Sequence, residues 1–180
     1  MNQAVQKNNS DRRVVLVGVY ATPLAFILGT LGIFLATIPE KEQLICAGVL
    51  GFTVFYNVVF PFFFKNLSQD LRGINVNIRL YLNLAVNGVL VYFLGDSFRP
   101  IWLILALTPI ASAIYGSRRN TLMKAAVVSA LLVGIQAARP DRTWLAWGEQ
   151  AAHISFIVLI SLLVNRLASL ISPQPATASI

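Results

Sequence analysis

Long apolar runs separated by short polar turns are the feature of this sequence that most restricts its fold. The clearest example lies between Arg79 and Arg119, where two apolar runs are joined by the polar turn GDSFRP and followed by a pair of arginines. A helix needs about 20 mostly apolar residues to cross the hydrocarbon core of a bilayer, and both runs approach that length. The segment therefore predicts a hairpin of two membrane-spanning helices.

The composition supports the same interpretation for the rest of the chain. Of the 180 residues, 57% are hydrophobic and 12% are charged, and the mean hydropathy is +0.71. Soluble domains carry about 25% charged residues, so this chain is poor in the residues that coat a water-facing surface. We expect one all-α, polytopic domain whose outer surface faces lipid, with polar tails at residues 1–13 and 172–180 and the domain at 14–171.

Six apolar runs predict six transmembrane helices arranged as three hairpins. They occupy residues 14–37, 44–64, 79–94, 101–115, 121–138 and 151–171. Short polar turns or loops are predicted at 38–43, 95–100 and 139–150, and the longer connection at 65–77 is compatible with a short interfacial helix before Gly73. In the first helix, Ala21, Ala25 and Gly29 lie four apart on one face and Gly32 and Ala36 continue a neighbouring row, a spacing that favours the close approach of another helix but also occurs by chance in helices rich in alanine and glycine.

The basic residues predict the orientation of the chain in the membrane. With the N-terminus inside, ten of the 14 Lys and Arg residues lie on the cytoplasmic side. These are Lys7, Arg12, Arg13, Lys65, Arg72, Arg79, Arg118, Arg119, Lys124 and Arg166, against Lys41, Arg99, Arg139 and Arg142 on the far side. Cytoplasmic loops carry an excess of Lys and Arg, so both termini are predicted to be cytoplasmic in a cell inner membrane.

The same basic residues indicate lipid contacts rather than nucleic-acid binding. They occur in ones and twos between apolar runs, whereas a nucleic-acid groove needs a dense basic stripe with interleaved aromatic residues. We therefore expect the bilayer to be a partner of the chain and nucleic acid not to be one.

The ionisable residues argue against an enzyme or a proton-coupled carrier. All seven acidic residues fall in loops, tails or helix ends, whereas ion and proton pathways place such residues inside the membrane. The sequence has no phosphate-binding glycine loop, no Ser/His/Asp set and no paired carboxylates. Cys46 is the single cysteine, which excludes an internal disulfide and a multi-cysteine metal site. We expect no catalytic residue, no metal and no cofactor.

Four asparagines lie at or near the expected membrane depth: Asn57, Asn83, Asn87 and Asn165. Amides in lipid must find partners on other helices, and Asn83 and Asn87 share one helix face because they are four residues apart. One interpretation is that they only join helices. The other is a ligand site, in which Asn83, Asn87, Thr108 and Ser112 line a cavity that opens towards the GDSFRP turn.

His153 is the only histidine, and Glu149 precedes it by four residues, so the two can pair on one helix face. A functional interpretation makes His153 a proton sensor near the extracytoplasmic surface or an axial ligand of a haem or chlorin. The alternative is an interfacial histidine that is hydrogen-bonded to Glu149 or to a neighbouring helix. A lone histidine cannot form a multi-ligand metal site by itself.

The central hairpin also carries a family resemblance. Its marker residues are, in chain order, Arg79, Val91 to Phe93, Gly95, Pro100, Pro109, Gly116 and the pair Arg118-Arg119. This layout resembles the membrane-embedded input domain of bacterial sensor histidine kinases of the pilus-regulating kind. The turn departs from that family, which usually has two glycines and a Ser-Pro step, whereas this chain has Gly95-Asp96 and Arg99-Pro100.

The resemblance implies a signal-input module with a cytoplasmic C-terminus, from which a helix leads into a dimerisation and kinase region. The nine residues after Ile171 hold neither a phosphoacceptor histidine nor an ATP-binding domain, so we expect no kinase activity from these residues. We predict a non-enzymatic, sensor-like module that acts through helix contacts, as a homo-oligomer or with a membrane-protein partner. The alternatives are an accessory subunit of a respiratory or photosynthetic complex that holds lipid, quinone or pigment, and a small transporter.

Overall fold

The structure of the chain is a computed structural model that describes residues 23–59, 69–140 and 143–171. Every regular element in these ranges is helical, so the predicted all-α class is confirmed for them. Both predicted tails, the beginning of the first predicted helix and residues 60–68 lie outside the described residues.

The described residues form six α-helices. These are α1 (Pro23–Leu35), α2 (Glu40–Val54), α3 (Gln69–Leu94), α4 (Leu103–Tyr115), α5 (Arg118–Ala138) and α6 (Trp144–Ile171). A π-helical segment, Phe55–Val59, directly follows α2, and a 3₁₀ turn, Arg99–Trp102, leads into α4. The predicted number of helices is thus confirmed, although several boundaries differ from the prediction.

The second helix begins at Glu40, four residues before its predicted start at Leu44. Pro39 occupies the N-cap position with a φ of −55°, close to the value that its ring imposes and that suits the start of a helix. Glu40 and Glu42 lie in the first turn, where their negative charges interact favourably with the positive end of the helix dipole. Most of the predicted polar turn is therefore the first turn of α2.

The third and sixth helices also begin earlier than predicted. α3 runs without a break from Gln69 through Gly73, so a separate interfacial helix before Gly73 is wrong. α6 begins at Trp144 rather than Ala151, and the Thr143 hydroxyl accepts a hydrogen bond from the Ala146 backbone N–H at 3.3 Å, which caps the helix. The residues added to α3 begin with the polar Gln69 and Asp70, whereas those added to α6 begin with the apolar residues 144–147.

One compact unit contains residues 23–105, that is α1, α2, α3 and the 3₁₀ turn. Two buried glycines of α1 lie close to side chains of other helices in this unit. A Cβ atom on Gly29 would lie 3.0 Å from a Leu50 methyl carbon, and one on Gly32 would lie 3.1 Å from a Leu94 methyl carbon. The close approach predicted from the small residues of the first helix is therefore confirmed.

Two side chains of the same unit bind backbone carbonyls beside the C-terminal end of α1. The Gln43 side-chain amide donates to the Ile33 carbonyl at 3.0 Å, and the Ser97 hydroxyl donates to the Thr37 carbonyl at 3.2 Å. The last carbonyls of a helix have no partner within that helix, so the Gln43 amide satisfies one such carbonyl of α1, and the Ser97 hydroxyl binds the chain two residues after the helix ends.

The described part of the other compact unit contains residues 106–140 and 143–171. α5 and α6 pack closely against each other, and the buried residues of this pair include Val128, Leu132 and Ile157. α5 begins at Arg118, three residues before its predicted start, because the Ser117 hydroxyl caps it by accepting from the Asn120 backbone N–H at 3.3 Å.

Two of the described helices are long and apolar enough to cross a membrane. They are the 21-residue stretch Arg118–Ala138 and the 27-residue stretch Trp144–Leu170. The other apolar stretches, Pro23–Leu35, Tyr81–Leu94 and Arg99–Ile114, are shorter than 18 residues. Within the described residues, two of the six predicted spans therefore reach spanning length by themselves.

Candidate functional site

Asn57 and Asn83 form a reciprocal pair of hydrogen bonds between two helices. The Nδ2 atom of Asn57 donates to Oδ1 of Asn83 at 2.9 Å, and Nδ2 of Asn83 donates to Oδ1 of Asn57 at 3.2 Å. Both side chains are half-buried. Each amide thus satisfies the other away from water, which is the role predicted for asparagines at membrane depth.

The π-helical segment Phe55–Val59 places Asn57 in this pair. Nδ2 of Asn57 also donates to the Thr53 carbonyl at 2.9 Å, four residues earlier in the chain. In a π-helical turn the backbone hydrogen bonds span five residues instead of the usual four. A carbonyl beside such a turn is therefore stabilised by a side-chain donor. The Asn57 amide therefore supports an irregular piece of its own helix and binds α3 at the same time.

The four residues of the predicted ligand site fall into two pairs. Asn83 and Asn87 lie one turn apart on α3 in the unit of residues 23–105, and both are half-buried. Thr108 and Ser112 lie one turn apart on α4 in the other unit, where Thr108 is half-buried and Ser112 is completely buried. Asn83 is hydrogen-bonded to Asn57. The hypothesis that all four residues line one cavity stays a prediction.

Asn165 joins α6 to the junction between α4 and α5. Its Nδ2 atom donates to the Ala113 carbonyl at 3.0 Å and to the Gly116 carbonyl at 3.1 Å. These carbonyls belong to the last turn of α4 and the residue after it, where intrahelical donors run out. One side chain thus satisfies two acceptors and fixes the position of α6 along α4. We refer to this contact as the Asn165 joint.

His153 and Glu149 both lie on α6, four residues apart, and both are half-buried. Because α6 begins at Trp144, His153 lies more than two turns from the helix start, deeper in the helix than the sequence prediction placed it. Within the described residues, no group of three His, Cys, Asp or Glu side chains is placed to hold a metal ion. The pH-sensing and axial-ligand interpretations of His153 stay predictions.

The sequence identified the amides but not their partners. Asn57 and Asn83 are 26 residues apart, and Asn165 lies 49 residues from Gly116. No local pattern marks the π-helical segment, so nothing short of the packed helices indicates that Asn57 faces Asn83. The expectation that these amides bind other helices is confirmed for Asn57, Asn83 and Asn165.

Comparisons with protein-family models, with curated proteins and with solved structures find no match to this chain.

Proposed function

We propose that the chain is an integral membrane protein with six spans and both termini in the cytoplasm, and that it is a non-enzymatic signal-input module. In this function, α6 transmits changes in helix packing towards the cytoplasmic side. The input comes from the remaining helices, and the output passes through helix contacts with a second copy or with another membrane protein.

The observation that carries the membrane assignment is the apolar outer surface of α6. Leu159, Leu163 and Leu167 lie four residues apart on one face and are 67%, 54% and 49% exposed. In the most apolar 18-residue window of this helix, 11% of the residues are buried, unlike the core helix of a soluble protein. An apolar helix with such exposure is stable where lipid surrounds it, because its leucine side chains then contact lipid and are not exposed to water.

The Asn165 joint supports the signal-input assignment. It connects the cytoplasmic half of α6 to the junction of α4 and α5 through two hydrogen bonds from one amide. A displacement of that junction along α6 changes both bonds at once, because the same nitrogen makes them. The layout that resembles sensor-kinase input domains includes Gly116 of this joint and Arg118-Arg119 directly after it.

Cysteine labelling tests the six-span topology, and the chain is well suited to it. Cys46 is the only cysteine and is completely buried, so Cys46→Ala gives a background without thiols. Single cysteines then replace the exposed residues Lys41, Asp96 and Asn120. A membrane-impermeant maleimide applied to right-side-out vesicles should label positions 41 and 96 and should not label position 120.

The vesicle experiment separates six spans from two. If only α5 and α6 cross the membrane, positions 41, 96 and 120 all lie on the same side and are labelled together. Inverted vesicles provide the matched control, in which position 120 should be labelled and positions 41 and 96 should not. Labelling of all three positions in the same vesicle type would overturn the proposed topology.

Purification in a mild detergent tests the signal-input assignment against the accessory-subunit alternative. Native mass spectrometry and an absorption spectrum are recorded on the same sample. A colourless homo-oligomer, or a complex with a signalling membrane protein, supports the proposal. A pigment that is lost in His153→Ala, or a large complex of respiratory or photosynthetic subunits, would replace the proposal with the accessory role.

A further inference from the structure

Three exposed arginines lie at the same end of the compact unit that contains α5 and α6. Arg118 and Arg119 begin α5, and Arg166 lies in the last two turns of α6. Asn165, which directly precedes Arg166, donates to the Gly116 carbonyl at 3.1 Å. Arg118 is the second residue after Gly116, and each residue step spans about 3.8 Å. The backbones of the three arginines are therefore close together, and we call these residues the arginine surface.

Among the described residues of this unit, the arginine surface has no acidic side chain close enough to balance its charge. The sequence contains no Asp or Glu between Ser97 and Pro140, and none after Glu149. Glu149 precedes Arg166 by 17 residues on the same helix. At about 1.5 Å per residue that separation is about 25 Å, far beyond ion-pair distance. Lys124, half-buried on α5, adds a charge of the same sign.

The position of Arg118 and Arg119 at the start of α5 is unfavourable without an anion. The N-terminal end of a helix carries a partial positive charge, which repels cations and attracts anions. The first turn of α5 contains these two arginines and no acidic residue. A role in topology requires arginines on the cytoplasmic side, but it does not require them at this end of a helix. A negatively charged group beside the arginine surface interacts favourably with the side chains and with the helix end.

When α6 crosses a bilayer, its length brings the arginine surface to the level of the lipid headgroups. Trp144, which is 92% exposed at the other end of α6, precedes Arg166 by 22 residues, or about 33 Å along the helix. The hydrocarbon core is about 30 Å thick, and Trp is common at its interfaces. The exposed Leu163 lies about one turn further into the bilayer than Arg166, where the acyl chain of a lipid packs.

We propose that the arginine surface binds the headgroup phosphate of an anionic phospholipid in the cytoplasmic leaflet. Arginine presents parallel N–H donors that match two phosphate oxygens, and its charge persists at physiological pH. The phosphate supplies the negative charge that the surroundings lack, and the acyl chains match the exposed leucines of α6. A lipid bound between α5 and α6 also holds together the helix ends that the Asn165 joint connects. The inference rests on the proposed membrane assignment and adds the class of lipid that this end of the protein recognises.

Native mass spectrometry of the full chain in a neutral detergent tests the binding. Phosphatidylglycerol and phosphatidylcholine with the same acyl chains are added in separate titrations. We expect phosphatidylglycerol to bind about tenfold more tightly or better, and the preference to weaken as ammonium acetate is raised. Equal binding of the two lipids would overturn the proposal. Inorganic phosphate is the third probe, and its displacing phosphatidylglycerol at a similar concentration would show a site for free phosphate instead of lipid.

A pair of matched variants tests whether the arginine surface carries the preference. Arg118→Gln combined with Arg166→Gln should reduce the affinity for phosphatidylglycerol by about tenfold. Lys41→Gln combined with Arg99→Gln removes the same charge from two exposed residues on the predicted opposite side, and it should leave the affinity nearly unchanged. An equal loss in both double variants would show that only net charge matters. That result, or an unchanged affinity in the arginine variant, would contradict the proposal.

The lipid site and the proposed topology can fail separately. Binding in detergent does not depend on the number of membrane spans, whereas the cysteine labelling does not depend on lipid type. If the double arginine variant does not fold, the single substitution Arg166→Gln replaces it, because this side chain is exposed. The comparison of the two lipids on the unaltered protein needs no variant, so it decides for or against the proposal in either case.

Discussion

The two compact units solve the same packing problems with different neighbours. In the unit of residues 23–105, the Gly32 position faces side-chain atoms of other elements, and the Asn57 amide binds the Asn83 side chain as well as the Thr53 carbonyl of its own helix. In the described part of the unit of residues 106–171, the Gly116 position lies against the Ser112 carbonyl of the preceding turn, which the Gly116 N–H itself binds, and the Asn165 amide binds two backbone carbonyls. Side chains can change rotamer, whereas a helical backbone cannot move without breaking its own hydrogen bonds. We therefore expect the second unit to be less tolerant of substitution.

Gly116→Ala should have the largest effect of a single methyl group. A Cβ atom at this position would lie 2.6 Å from the Ser112 backbone carbonyl oxygen, so the backbone must shift. We expect a loss of about 2–4 kcal/mol in the free energy of unfolding, measured by denaturant titration in detergent. Gly134→Ala is the control, since nothing lies within 4 Å of its Cβ position and alanine favours the helix. Equal effects at both positions would contradict the backbone contact.

Asn165→Leu should have the next largest effect. It removes the only side-chain donor described for the Ala113 and Gly116 carbonyls, which then lie in apolar surroundings without it. The expected loss in the free energy of unfolding is about 1–2 kcal/mol. Asn120→Ala serves for comparison because Asn120 is exposed, and it should change stability by less than about 0.5 kcal/mol. A neutral Asn165→Leu would show that the joint does not hold α6.

Gly32→Ala tests whether side-chain neighbours yield more easily than backbone. Its Cβ atom would lie 3.1 Å from a Leu94 methyl carbon and a Phe98 ring carbon, and 3.3 Å from an Ile101 methyl carbon. These ends can move by a few tenths of an ångström, so we expect a loss of about 1 kcal/mol. Gly48→Ala, with no atom within 4 Å, provides the reference in the same unit. If Gly32→Ala is more damaging than Gly116→Ala, the comparison between the units is wrong.

The Asn57 and Asn83 pair should give the smallest effect, expressed as a coupling energy. A double-mutant cycle with Asn57→Leu and Asn83→Leu isolates the interaction between the two amides. Helix-to-helix hydrogen bonds in membranes average about 0.6 kcal/mol in such cycles, and we expect a value near that. Asn87→Leu combined with Asn57→Leu is the comparison cycle, because no hydrogen bond joins these two residues, and it should show additive effects.

The sequence predicted the helices better than their ends. Runs of apolar residues identified six helices, and all six occur in the described chain. The early start of α2 was missed because Glu40 and Glu42 are polar, and hydropathy counts them as loop. The early start of α6 was missed because the polar residues Glu149 and Gln150 separate its apolar first turn from the long apolar run that follows. Capping chemistry was present in the sequence at each of these sites, since acidic residues and threonine favour the first turn of a helix.

The candidate sites were predicted only in part. That asparagines at membrane depth would join helices followed from the cost of an unsatisfied amide, and Asn57, Asn83 and Asn165 do so. Which groups they join did not follow. A side chain's partner depends on the rotation and register of two packed helices, and a single helix sequence contains neither quantity.

The sequence by itself determined that this chain is helical and apolar. It also determined that residues such as Pro39, Ser117 and Thr143 occupy the position just before a helix begins. These properties depend on residues within about one turn of each other, so they can be read locally. Only the tertiary structure decided that Asn165 reaches across 49 residues to Gly116 and that Asn57 pairs with Asn83. Those contacts exist because packing fixes the helices in one register.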